Sequence, residues 1–87
     1  MKFKLDILSH IHRRRSRCSR WRYEYIDANN PFDALDIFHK DHPAENVTVI
    51  SEIAPNNLIV KSYNMQNLKE HREEILIEYD LKKGYYN

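Results

Sequence analysis

This sequence is poor in the residues that bend, cross-link and embed chains. Gly84 is the one glycine in 87 residues, so the glycine-rich loops whose backbone amides cradle phosphates are excluded. Cys18 is the one cysteine. It rules out an intramolecular disulfide and, with it, a stapled secreted scaffold, so a reducing cytoplasm is the expected compartment. No apolar run approaches the roughly 18 residues that cross a bilayer. Lys2, Lys4 and Asp6 also put charge where a signal peptide needs an apolar stretch, so no membrane insertion is expected. Asn46-Val47-Thr48 fits a glycosylation acceptor, a pattern without weight where there is no export signal.

A chain this short reads as a single domain, 1–87, and buries only about two-thirds of its unfolded surface. One core of roughly twenty apolar side chains is the ceiling, which favours surface recognition over a deep catalytic cleft. The formal net charge of +1 conceals an asymmetry. Residues 1–30 carry eight Lys and Arg against Asp6, Glu24 and Asp27, whereas residues 31–87 sum to −4. A molecule with a positive and a negative side steers anionic partners, or lets two copies associate as a homodimer.

Lys2 to Leu8 alternates with period two, Phe3, Leu5 and Ile7 against Lys2, Lys4 and Asp6, which predicts a half-buried strand. From Trp21 to about Ala28 the alternation resumes, with Trp21, Tyr23 and Tyr25 on one side and Arg22, Glu24 and Ile26 on the other. The intervening residues, about 10–22, form either a long hairpin loop or a ribbon made by extending both strands. Asn30-Pro31 followed by Asp33 and Asp36 predicts a helix start, and His42-Pro43 its end. Val47 to Ile53 and Leu58 to Tyr63 read as a hairpin joined by Ala54-Pro55-Asn56-Asn57. The last segment has two readings. Leu68, Ile75, Leu76 and Tyr79 share a helical face, with Lys69–Glu73 and Glu78–Lys82 as four-residue charge pairs and Lys82-Lys83-Gly84 as a stop, which favours a helix over about 66–83. Ile75, Ile77, Tyr79 and Leu81 also alternate as a strand would, which gives a ferredoxin-like order. The expected fold is therefore α+β, a four-stranded mainly antiparallel sheet with two helices on one face (β-β-α-β-β-α) and a core of Phe3, Leu5, Ile7, Leu35, Phe38, Val47, Val49, Leu58 and Val60.

Six arginines fall within residues 13–22 with no acid among them. They repel one another unless water, salt or a polyanion screens them. Arg13, Arg14, Arg15, Arg17, Arg20 and Arg22, with Trp21 and Tyr23 beside them, are the candidate contact residues. Guanidiniums neutralise phosphates, and aromatic rings on an exposed strand offer stacking platforms to unpaired bases. The expected function is a small non-enzymatic binding module for nucleic acid, RNA or single strands favoured. The alternative is an adaptor or inhibitor, in a phage or mobile-element setting, whose arginines dock on an acidic protein surface. The bland reading makes the aromatics core and the arginines a solvated loop.

No cofactor is expected. His10, His12, Cys18, His39, His42 and His71 raise zinc, but their spacing matches no structural zinc pattern and the arginines would add positive charge to positive charge. Cys18 with His10 or His12 raises a nucleophile and base, without a third orienting residue or an oxyanion turn. The carboxylates Glu70, Glu73, Glu74, Glu78 and Asp80 interleave with Lys69, Arg72, Lys82 and Lys83 as a solvated face does. Arg13-Arg14-Arg15-Ser16 matches an arginine-directed kinase pattern that is too common to carry weight.

Overall fold

The computed structural model describes residues 1–13 and 16–85, with side chains described for 1–9 and 20–82. The elements are β1 (Lys2–Arg13), β2 (Ser16–Asp27), α1 (Pro31–Asp41), β3 (Asn46–Ile53), β4 (Ile59–Asn64), α2 (Met65–Glu70) and α3 (Arg72–Tyr85). The strands form one antiparallel sheet in the order β2-β1-β3-β4. The final segment is helical, so the ferredoxin-like alternative does not form. The expected single C-terminal helix is divided at His71, which caps α2 through its backbone N–H to the Asn67 carbonyl. Asn64, the last residue of β4, starts α2 by accepting the Asn67 N–H at 2.7 Å. The break also separates Lys69 from Glu73, and these two form no ion pair, whereas Glu78 and Lys82 lie 3.6 Å apart within α3.

The helices cover one face of the sheet. Phe3, Leu5, Ile7, Ile50 and Tyr63 point toward them and meet Phe32, Ala34, Phe38, Leu68, Ile75 and Tyr79 in one core. Fully burying a large apolar side chain is worth about 1.5–3 kcal/mol, and Phe3, Leu5, Ile7 and Ile50 have no exposed surface. α1 starts as its sequence predicts: the Asn30 side chain accepts the Asp33 N–H at 2.8 Å and Pro31 occupies the first turn. The Tyr63 and Tyr79 hydroxyls are 3.2 Å apart in the core. Burial and that hydrogen bond push the Tyr79 phenol well above its ordinary value, so it stays neutral.

Three residues expected in the core lie elsewhere. The pairing of β1 with β3 shifts between Asp6 and Ile7, a bulge that takes Thr48 out of the ladder and turns both Val47 and Ile50 inward. Val49, opposite Asp6, is thereby set on the other face, half-buried. Leu58 and Val60 are exposed, because β4 lies at the sheet edge and its register shifts again beside Ile53. Leu35 is partly buried at the margin of the core. In the turn before β4, Asn57 has φ 66°, a left-handed conformation that asparagine tolerates better than most residues.

Candidate nucleic-acid interface

β1 and β2 are twelve residues each and pair throughout, from Lys2↔Asp27 to Arg13↔Ser16. Only Lys2 to Leu8 of β1 also pair with β3. Beyond that point the backbone continues as a two-stranded ribbon through five further pairs, Ser9↔Arg20 to Arg13↔Ser16, about 15 Å at the usual rise per residue. The molecule is correspondingly long, 53 × 29 × 20 Å. Arg13 and Arg17 belong to the ribbon backbone; Arg14 and Arg15 lie outside the described residues.

The pairing fixes what shares a face. Phe3, Leu5 and Ile7 face the helices, and with them their partners Ile26, Glu24 and Arg22. Lys2, Lys4, Asp6 and Leu8 face away, beside Asp27, Tyr25, Tyr23 and Trp21. Trp21, Tyr23 and Tyr25 are 57, 58 and 58% exposed, so the aromatics are not core. They form a stripe of three rings along β2 on the uncovered face of the sheet. Lys4 Nζ lies 4.1 Å from the Tyr23 ring centre and Lys2 Nζ 5.4 Å from that of Tyr25, diagonal cross-strand pairs that place a cation over each ring. On the same face the Asp6 Oδ1 is buried without a hydrogen-bond partner, the kind of uncompensated polar atom that a folded chain seldom keeps.

Arg22 is elsewhere. Its guanidinium lies on the helix side, where it donates to Glu24 at 2.9 Å and to Glu45 in the loop after α1, with its Cζ 5.7 Å from the Phe38 ring. Glu45 also accepts from Ser9 Oγ at 3.3 Å and lies 3.6 Å from His42 Nδ1, while His39 Nε2 meets the Glu45 carbonyl at 3.2 Å. The hydrogen bond from Arg22 holds the Glu45 carboxyl below its usual range and raises the Arg22 guanidinium. The cluster ties the base of the ribbon to the α1–β3 loop. Arg20 is exposed on the helix-side register of β2.

Of the sequence-derived candidates, Trp21 and Tyr23 therefore lie together on the open face, and Arg22 is on the opposite one. Tyr25 completes the stripe. Lys2 and Lys4 were not among the expected contact residues; the signal for them is the alternation of β1 taken with a hairpin register in which paired residue numbers sum to a constant. Cys18, His10 and His12, which raised metal and thiol chemistry, lie outside the described side chains. Among the described residues no group of three or more metal-ligating side chains converges. No helix among them is long and apolar enough to cross a membrane. No known protein family, curated protein or solved structure matches this chain.

Proposed function

We propose that the protein is a non-enzymatic module that binds single-stranded nucleic acid, RNA favoured, on the open face of its sheet, with the arginine-rich ribbon following the phosphate backbone. The observation that carries this reading is the exposure of Trp21, Tyr23 and Tyr25 in a row beside Lys2 and Lys4. A sheet face meant only for solvent has no use for three large rings, and their exposure forgoes burial worth kilocalories. Unpaired bases stack on such rings, at about 1–3 kcal/mol each. Duplexes keep their bases inside, so the rings discriminate in favour of single strands. The lysines supply charge at the platform, and the arginines at 13, 14, 15, 17 and 20 supply it along the strand leaving it.

Within this reading Arg22 is a strut, since both its carboxylate partners are intramolecular. Fluorescence anisotropy with a labelled single-stranded RNA at low salt tests the proposal. Trp21→Ala, Tyr23→Ala and Tyr25→Ala are each expected to weaken binding by about 5- to 150-fold, the equivalent of 1–3 kcal/mol. Binding that tolerates all three while a stoichiometric acidic protein is captured by the arginines would transfer the function to protein recognition.

A further inference from the structure

In the middle of the open face, among rings and lysines suited to an anionic strand, stands a carboxylate. The pairing sets Asp6 directly between Tyr23 of β2 and Val49 of β3, with Lys4 before it and Leu8 after it on the same side of β1. Asp6 is partly buried, and its Oδ1 is fully buried without a hydrogen-bond partner. Val49 and Leu8 have nothing to donate, and Lys4 lies over the Tyr23 ring. Among the described residues no cation is paired with Asp6. A bare acceptor at this depth works against folding, and its charge works against phosphates. Neither stability nor general affinity for strands accounts for it.

The backbone is irregular at the same point. The register of β1 with β3 shifts between Asp6 and Ile7, and Thr48, left out of the ladder, donates its hydroxyl to the Asp6 carbonyl at 3.1 Å. Bulges re-aim side chains and recur beside functional sites. This one falls at the residue that carries the unpartnered acceptor.

We infer that Asp6 reads the base stacked on Tyr23, accepting hydrogen bonds from the Watson–Crick edge of guanine. The inference rests on the open face binding single strands and adds a preference for one base. Tyr23 and Asp6 are directly opposite in register, with Cβ atoms about 5 Å apart in such pairs, so a base lying on the ring carries its edge over β1. Of the β1 side chains opposite the three rings, Lys4 only donates, Leu8 does neither and Asp6 only accepts. The carboxylate offers two oxygens, and its terminal torsion is soft enough to turn Oδ1 up beside Oδ2. Guanine alone presents two adjacent donors on one edge, N1–H and the 2-amino group. Adenine and cytosine set their amino group beside a bare ring nitrogen, and uracil sets its one N–H between two carbonyls, so each turns lone pairs toward the carboxylate. The residue that weakens general affinity thereby selects among bases.

Anisotropy titrations at low salt test the inference, with labelled uridine strands of about eight nucleotides that carry guanosine, inosine or adenosine at one central position. All three are purines, and inosine lacks only the 2-amino group of guanosine. The guanosine strand is expected to bind about 5- to 150-fold more tightly than the adenosine strand, the span of one bidentate base contact, with inosine between them. Asp6→Asn keeps the shape of the side chain and is expected to keep the melting temperature while bringing the three affinities together. The readout is the ratio between strands, which loss of one negative charge does not by itself move. Equal binding of the three strands that still depends on Tyr23 overturns the inference and leaves the stacking face in place. A guanosine preference that survives Asp6→Asn also overturns it, and absence of binding by every strand overturns both.

Discussion

Arg22 and Tyr23 are adjacent in the chain and do different work, because a strand turns successive side chains to opposite faces. Tyr23 and its neighbours on the open face touch little of the core, so Tyr23→Ala is expected to cost the fold less than about 1 kcal/mol while lowering affinity for single strands substantially. Arg22→Ala is expected to do the reverse: binding close to wild type, and a stability loss of up to about 1 kcal/mol, since its pairs with Glu24 and Glu45 are part-exposed and screened. Thermal melts and anisotropy on the two variants separate these roles.

Glu45 gives the same cluster a pH dependence. Its carboxyl is held below the unfolded value of about 4.3, first by the Arg22 hydrogen bond. A group depressed on folding stabilises above its unfolded value, and that contribution is lost as pH falls through the lowered folded value. The difference in melting temperature between wild type and Glu45→Gln is therefore expected to be largest near neutrality and to close below about pH 4. A gap that widens on acidification would contradict the Arg22–Glu45 pairing.

At the scale of elements, α1 was legible because its boundaries are chemical: Asn30 caps, Pro31 tolerates the first turn, and His42-Pro43 cannot continue. Phe3, Leu5 and Ile7 were legible through strict alternation. Val47 apart, core positions in β3 and β4 were not. A bulge shifts the inward phase by one residue without leaving a mark in hydropathy, so Val47 and Ile50 are inside while Val49 is not. Edge position left Leu58 and Val60 exposed although their side chains are as apolar as any in the core. Phe38→Ala is accordingly expected to cost about 3–5 kcal/mol, and Val60→Thr less than about 0.5 kcal/mol; chemical denaturation measures both. The division of the last helix at His71 coincides with neither glycine nor proline, the residues that usually announce a break. The site was half legible for a related reason. Alternation grouped Trp21, Tyr23 and Tyr25, yet hydrophobicity would bury them in preference to Arg22 and Glu24. The face is decided instead by the pairing with Phe3, Leu5 and Ile7 and by Glu45, which gives Arg22 an anionic partner beside the core.

Over the whole molecule, the charge asymmetry of the sequence becomes a direction, with positive charge concentrated along β1, β2 and the ribbon beyond the sheet, and negative charge in the helical half. Binding to single strands is expected to weaken with salt at a slope near −0.7 per phosphate neutralised, and replacing arginines 13, 14, 15 and 17 together is expected to flatten that slope while leaving the effect of Tyr23→Ala intact. In the proposed binding mode, charge draws in the strand and the rings hold its bases. Trp21 is the one tryptophan in the chain and sits within the stripe, so its fluorescence reports the central claim without a label. Titration at low salt with a single-stranded RNA is predicted to quench Trp21 emission saturably at micromolar concentration, with a duplex of the same length far less effective and Tyr23→Ala shifting the curve to weaker binding. Emission that stays unchanged up to about 100 µM strand, the weak end of non-specific nucleic-acid binding, or that responds equally to duplex, would contradict a base-stacking face.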